Sequence, residues 1–224
     1  VGSEMCIRDS NKVEQTGKDT VDNDKDTVIT NHDKDTASSN TVTIDAKDEN
    51  DKVEVTLKDV NIDASSRSEA AVSVTGKGDT TIELDGDNEL KSGSYNAGLE
   101  KNEHESKGTL TIKDDKGKDG SLTAEGGFGG AGIGGGYASA GDVTIEGGTT
   151  VKAEGGVGGG AGIGGGADLE ADEDTQNRVT IRSSEDGSPD VTAVGGAPEP
   201  GEDGTELSKG GAGIGSGALI GPDE

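Results

Sequence analysis

A seven-residue phrase occurs three times almost unchanged, and it restricts the folds open to this chain more than any other feature. It reads Gly-Ala-Gly-Ile-Gly-Gly-Gly at 130–136 and 160–166, and Gly-Ala-Gly-Ile-Gly-Ser-Gly at 211–217. Residues two apart on an extended chain share a face. Ala131 and Ile133 therefore project to one side and Gly132 to the other. A strand with so small an apolar face cannot bury enough surface alone, so it must stack on copies of itself.

Weaker copies precede it. Ala70-Ala71-Val72 and Ala97-Gly98-Leu99 have the same small-small-aliphatic form. Two further apolar-x-apolar triplets come before each copy. The first set begins at Val55, Ile82, Leu110, Val143 and Val179, and the second at Ile62, Leu90, Leu122, Val151 and Val191. Each unit is thus three very short strands and a turn, five times over. The first-strand starts are 27, 28, 33 and 36 residues apart by subtraction. Matching the triplets predicts two interior columns, Leu84–Ile112–Ile145–Ile181 and Leu99–Ile133–Ile163–Ile214.

A period of roughly 20–50 residues indicates a solenoid or a propeller. Propeller blades need four longer antiparallel strands. Three short strands per unit suit one coil of a parallel β-helix, and the growing period places insertions in turns. The fold class expected is all-β, a right-handed parallel β-helix of about five coils over 51–224, preceded by a disordered polar linker over 11–50 in which Val42-Thr43-Ile44 reads as a first, incomplete strand feeding the array. The competing reading is a disordered glycine-rich acidic chain, which low hydrophobicity and high charge favour. Fifteen triplets in fixed order weigh against it.

Residues 1–10 contain the only Met and the only Cys and resemble translated sequencing-library adapter. They are set aside as non-native, which makes the chain a fragment, and no disulfide or thiolate metal site then remains. Acidic residues number 46 against 20 basic, a net charge of −26. Phosphate binding needs a basic footprint, so nucleic acid is excluded as a natural partner. No stretch approaches the ~20 apolar residues of a membrane span, so membrane insertion is not expected.

Catalytic signals are lacking. His32 falls in the linker and His104 in a turn, with no triad partner identifiable and no nucleophile elbow, phosphate loop or zinc motif. Carboxylates gather in turns: Asp85 and Asp87 with Asn88; Asp114 and Asp115 with Asp119; Asp168 with Asp172, Glu173 and Asp174. Calcium takes about six to eight oxygens, so Asp85, Asp87, Asn88, Asp114 and Asp115 are candidate metal ligands, with solvated acidic turns as the alternative. On the third strand Gly98, Gly132, Gly162 and Gly213 fall at alternate, outward positions. A band without side chains admits a polymer closely, unless glycine there merely permits tight corners. The three aromatic residues, Tyr95, Phe128 and Tyr137, all flank this strand, and tyrosine offers sugars an apolar face and a hydroxyl.

The stretches Val-Glu-Val-Thr-Leu, Asp85-Gly86-Asp87-Asn88-Glu89-Leu90, Asn-Ala-Gly-Leu and Gly-Thr-Leu-Thr-Ile, together with the glycine phrases, resemble a family of secreted bacterial carbohydrate-binding domains. The resemblance spans residues 53–217. It implies a right-handed parallel β-helix related in shape to pectate lyases, a secreted or cell-surface location, calcium, and a binding role toward pectin-like polysaccharide. The long insert at 197–209 departs from it. The function expected is a non-catalytic module for acidic polysaccharide, calcium bridging it to an acidic protein. A structural stalk or adhesin is the alternative, and a pectate-lyase-like enzyme the least supported one.

Overall fold

The computed structural model describes the backbone of residues 5–8, 12–15 and 21–22, and residues 27–31, 33–102, 108–115, 119–169, 177–201 and 206–218 in full. The chain begins with β1 (Met5–Arg8), β2 (Lys12–Gln15), β3 (Val21–Asp22), β4 (Thr27–Thr30) and β5 (Val42–Ala46). Five three-strand units follow. They are β6 (Lys52–Lys58), β7 (Asn61–Asp63) and β8 (Val72–Gly76); then β9 (Asp79–Asp85), β10 (Asp87–Lys91) and β11 (Leu99–Glu100). The third is β12 (Leu110–Asp114), β13 (Ser121–Glu125) and β14 (Ile133–Gly134), and the fourth β15 (Val143–Gly147), β16 (Thr150–Glu154) and β17 (Ile163–Gly164). The fifth is β18 (Val179–Arg182), β19 (Asp190–Val194) and β20 (Ile214–Gly215).

Like strands of successive units lie side by side. First strands form the sheet β4-β6-β9-β12-β15-β18, second strands β7-β10-β13-β16-β19, and third strands β5-β8-β11-β14-β17-β20. All pairings within these three runs are parallel. The five strands of the second sheet bound four complete turns of a parallel β-solenoid. The expected architecture of three short strands per coil holds, and among the described residues no helix is long and apolar enough to cross a membrane.

The array starts earlier than the predicted boundary. β4 pairs with β6 and β5 with β8, and Ile29, Val42, Ile44 and Ala46 are buried. Part of the expected linker is therefore an extension of the solenoid. Val42-Thr43-Ile44, expected as an incomplete first strand, lies in β5, while β4 was masked by the Asp/Thr/Lys-rich sequence around it. β1 adds in parallel to β5, and β2 and β3 continue that sheet antiparallel.

The core is a set of single-file columns between the sheets, buried except on the last rung, where Ile181 and Ile214, both predicted to be interior, are exposed. One runs Val42–Val72–Leu99–Ile133–Ile163–Ile214, as predicted for its last four members. The other differs from expectation. It runs Val55–Ile82–Ile112–Ile145–Ile181, with Ile82 in place of Leu84. Leu84 pairs with Leu57 one column over. The second sheet slips at the same junction, so that Leu90 pairs with Ala124 and Asn88 with Leu122.

Two buried polar residues explain the slip. Near the end of β9, Leu84 faces the place of Asp114 on the next rung; near the start of β13, Leu122 faces Asn88 on the previous one. Both polar residues are fully buried and serve main-chain groups. Asn88 Oδ1 accepts the Val60 N–H at 3.0 Å, and its Nδ2 donates to the Ser121 carbonyl at 3.1 Å. Asp114 Oδ2 accepts the Gly120 N–H at 2.7 Å. Each thus closes the turn joining a first strand to a second strand, satisfying buried backbone groups that no ladder reaches.

Charges alternate along one column of the first sheet: Glu83, Lys113, Glu146 and Arg182 are cross-strand neighbours, with Glu83 buried and Arg182 at the surface. Pairs of this kind add little stability at a surface, but a like-charge neighbour would oppose a shifted register. Asn88→Leu should continue the apolar column yet orphan the Val60 N–H and Ser121 carbonyl. Denaturant unfolding should show a loss of about 1–3 kcal/mol; an unchanged midpoint would mean that the amide is not what closes the turn.

Candidate functional site

Tyr95 and Phe128 stand in turns between second and third strands, and Tyr137 in the turn that follows β14. Phe128 stands alone in the run Gly126-Gly127-Phe128-Gly129-Gly130, and Val157 in Gly155-Gly156-Val157-Gly158-Gly159. With glycine on both sides, each side chain has no neighbour in sequence to shield it. The Tyr95 N–H donates to the Phe128 carbonyl at 2.9 Å, and the Tyr95 carbonyl accepts the Tyr137 N–H at 2.9 Å. The Gly129 N–H donates to Val157 at 2.8 Å, carrying the ladder one rung further. Below it, Ser92 Oγ accepts the Ala71 N–H at 2.8 Å and donates to the Ala97 carbonyl at 2.7 Å, which anchors the loop that carries Tyr95.

The rings meet edge to face. Tyr95 lies 5.7 Å from Phe128 at 75° and 5.5 Å from Tyr137 at 86°. Tyr95 remains 57% exposed and Val157 47%. The Tyr137 hydroxyl donates to Asp168 Oδ2 at 2.8 Å. That hydrogen bond, with partial burial and the carboxylate's charge, pushes the phenol above its ordinary value. Among the described residues, three of the four non-glycine ones with left-handed backbone are here: Tyr95 at φ 72°, Ala138 at 56° and Asp168 at 58°. Such conformations cost about 1–2 kcal/mol per residue and concentrate at functional sites.

A cleft of about 290 Å³ opens beside Phe128 and Val157, with Lys91, Ser94, Glu125 and Glu154 in its walls. Lys91 Nζ reaches Glu125 Oε1 at 2.7 Å, and this bond raises the lysine above its usual range. A second opening of about 280 Å³, with Asp63 and Glu89 in its walls, shares Lys91 and Glu125 with the first. The two are one trough along the second sheet.

Tyr95 and Tyr137, both predicted, are brought together. The glycines are not where the outward band requires them. Gly98, Gly132 and Gly162 are buried, and a Cβ on Gly132 would lie 2.6 Å from the Glu154 nitrogen and 2.7 Å from the Gly162 oxygen. Gly98 abuts Glu125 and Gly162 abuts Val194 in the same way, while Gly213 is half-buried on the last rung beside the Ala193 carbonyl. The face opposite Ile133 is thus packed against the end of the neighbouring second strand. These glycines therefore form no open band for a polymer.

The candidate metal ligands are engaged by the protein. Asp85 Oδ2 accepts from Lys58 Nζ at 2.7 Å, Asp87 Oδ1 from the Ser121 hydroxyl at 2.7 Å, and Asp115 Oδ2 from Lys113 Nζ at 2.7 Å. Asn88 and Asp114 are the buried turn closures already described. Among the described residues no three His, Cys, Asp or Glu side chains converge as a metal group. This donor set does not fit a protein-held calcium shell. Asp172, Glu173, Asp174, His32 and His104 lie outside the described residues.

No family model, curated protein or solved structure matches the chain.

Two outcomes test this geometry. Gly132→Ala should destabilise at the upper end of the ~1–3 kcal/mol cost of overpacking, because both close atoms are backbone; a neutral result in thermal melts would reopen the outward band. The Tyr137 phenol should titrate above 10 in ultraviolet absorbance. Below that value the group is protonated in both states and its contribution is complete. As pH rises through it the unfolded chain loses its proton first, so stability falls. Asp168→Asn should lower the Tyr137 midpoint toward 10.

Proposed function

We propose that this chain is a non-catalytic carbohydrate-binding module of a secreted or cell-surface protein. The observation that carries the reading is the convergence of all three aromatic residues on one corner, with the exposed Tyr95 ring against the Phe128 that walls a polar trough. An amphipathic ring presented to solvent on a rigid β-scaffold suits pyranose stacking. The apolar ring face covers the sugar's C–H groups while Ser, Glu and Lys side chains meet its hydroxyls. No residue is proposed as a catalyst.

A pectin-like acidic polymer, implied by the resemblance, would meet a protein of net charge −26. Calcium would then have to lie between the polymer's carboxylates and those of the protein, and binding of uronate glycans would depend on it. The stalk or adhesin reading rests on the same solenoid without using the aromatic corner.

A glycan array, probed with and without calcium, decides between them. Tyr95→Ala should weaken binding at least tenfold, since a stacked ring contributes about 1–3 kcal/mol, while the melting temperature moves little because the ring is largely exposed. Binding that survives Tyr95→Ala and Phe128→Ala places any glycan elsewhere. No glycan bound under either calcium condition would favour the stalk.

A further inference from the structure

The two ends of the solenoid are finished differently. At the start, Ser38 bridges to β7: its N–H donates to the Asn61 carbonyl at 2.9 Å, and its carbonyl accepts the Asp63 N–H at 2.9 Å. Asn31 Nδ2 donates to the same Asn61 carbonyl at 2.7 Å. The third sheet is carried beyond β5 by β1, β2 and β3. Ile29, inward on β4, is only 4% exposed. At the other end β18, β19 and β20 are each the last strand of their sheet, and among the described residues no strand pairs with their outer edges. Ile181 is 41% exposed there and Ile214 49%.

This open rung is made like the ones inside. A coil that faces water ordinarily carries charge, proline or a bulge at its edge and a polar outer face. Here the inward positions are Val179, Ile181, Val191, Ala193 and Ile214, the residue types on which the preceding rungs stack. An outward position changes too. The column Lys91–Glu125–Glu154 ends on this rung in Val194, which is exposed.

We propose that this face is an interface, and that its occupant is the same face of a second copy. A head-to-tail contact would need an open first rung, and there the second and third sheets are already taken up. A two-fold contact needs the last rung alone. With β20 on the axis, β18 runs antiparallel to the partner's β19. Inward residues meet inward ones when Val179 faces the partner's Ala193 and Ile181 faces the partner's Val191. That register sets Thr180 opposite the partner's Thr192 and Arg182 opposite the partner's Asp190. Arg182 and Asp190 are both exposed in the single copy. With β18 on the axis, Arg178 would instead face the partner's Arg182, which like charge opposes. The proposal does not depend on the carbohydrate reading.

The test is sedimentation velocity of the whole chain at about 0.15 M salt, where repulsion between chains of net charge −26 is screened beyond ~8 Å. It should show a dimer that dissociates on dilution, and small-angle scattering should give it close to twice the monomer's length. Arg182→Glu should raise the dimer Kd about tenfold by setting like charges together. Adding Asp190→Arg to the same chain restores an opposite pair and should recover most of that loss. Ile181→Lys should leave only monomer. Where Ile181→Lys also lowers the melting temperature, the charge variants decide, because neither side chain is buried in the single copy. A monomer at every concentration would overturn the proposal, as would oligomers growing beyond the dimer. A dimer no longer than the monomer, or one indifferent to Arg182→Glu and its compensating change, would overturn it as well.

Discussion

The close approach of each third strand to the end of the neighbouring second strand is the contact on which the rest of the structure depends. At Gly132 there is no room for a side chain, because the Glu154 nitrogen and the Gly162 oxygen occupy its place. The same contact recurs at Gly98 and Gly162 with Glu125 and Val194. It lets the coil close tightly around single-file columns of isoleucine and leucine, which suits a chain that is only 27% hydrophobic. It also leaves the corner bare, so that the few side chains present there are displayed. The glycine runs are thus the frame of the candidate site and not its surface.

How much of this was legible in the sequence depends on the period of a strand. Alternation repeats every two residues, so the triplets reveal which residues face inward, but a slip of two leaves the inward face unchanged. Matching Leu84 to Ile112 was such a slip. What sets the true register is the exchange of apolar and polar residues at the turn. Leu84 faces the place of Asp114 on the next rung, and Asn88 faces Leu122. A buried polar side chain bonded to main chain looks, in sequence, like a polar turn residue. Of the early strands, Val42-Thr43-Ile44 could be read as an incomplete first strand, whereas Thr27–Thr30 alternates correctly but stands isolated among charged residues.

The site was half legible. Tyr95 and Tyr137 were marked by their rarity and their place beside the third strand, and the structure brings them together. The glycine band and the calcium ligands were misjudged because alternation gives the direction of a Cβ from its own sheet and not what lies beyond it. In a solenoid this narrow, the outside of one strand is the flank of the next. Turn carboxylates fare likewise. A tight corner exposes main-chain N–H groups and brings lysines close, and Asp114 and Asp115 are taken up by these before any ion is considered. The acidic trough escaped notice because its walls come from residues 26 or more apart, as Asp63, Glu89 and Glu125 are.

Tyr95 carries the most information about selection at this corner. Its backbone is left-handed, at φ 72°, where a bulky residue costs about 1–2 kcal/mol relative to an ordinary conformation. Glycine would adopt it freely and would keep both main-chain bonds, to Phe128 and from Tyr137. The two edge-to-face contacts return about 0.5–1.5 kcal/mol each, so strain and ring packing roughly cancel. Burial adds little, since more than half of the residue remains in solvent. Folding alone is therefore nearly indifferent between tyrosine and glycine here, in a segment where glycine is the commonest choice. What tyrosine adds is an exposed ring held against Phe128, itself a wall of the trough, and that gain is realised only when something lies against it.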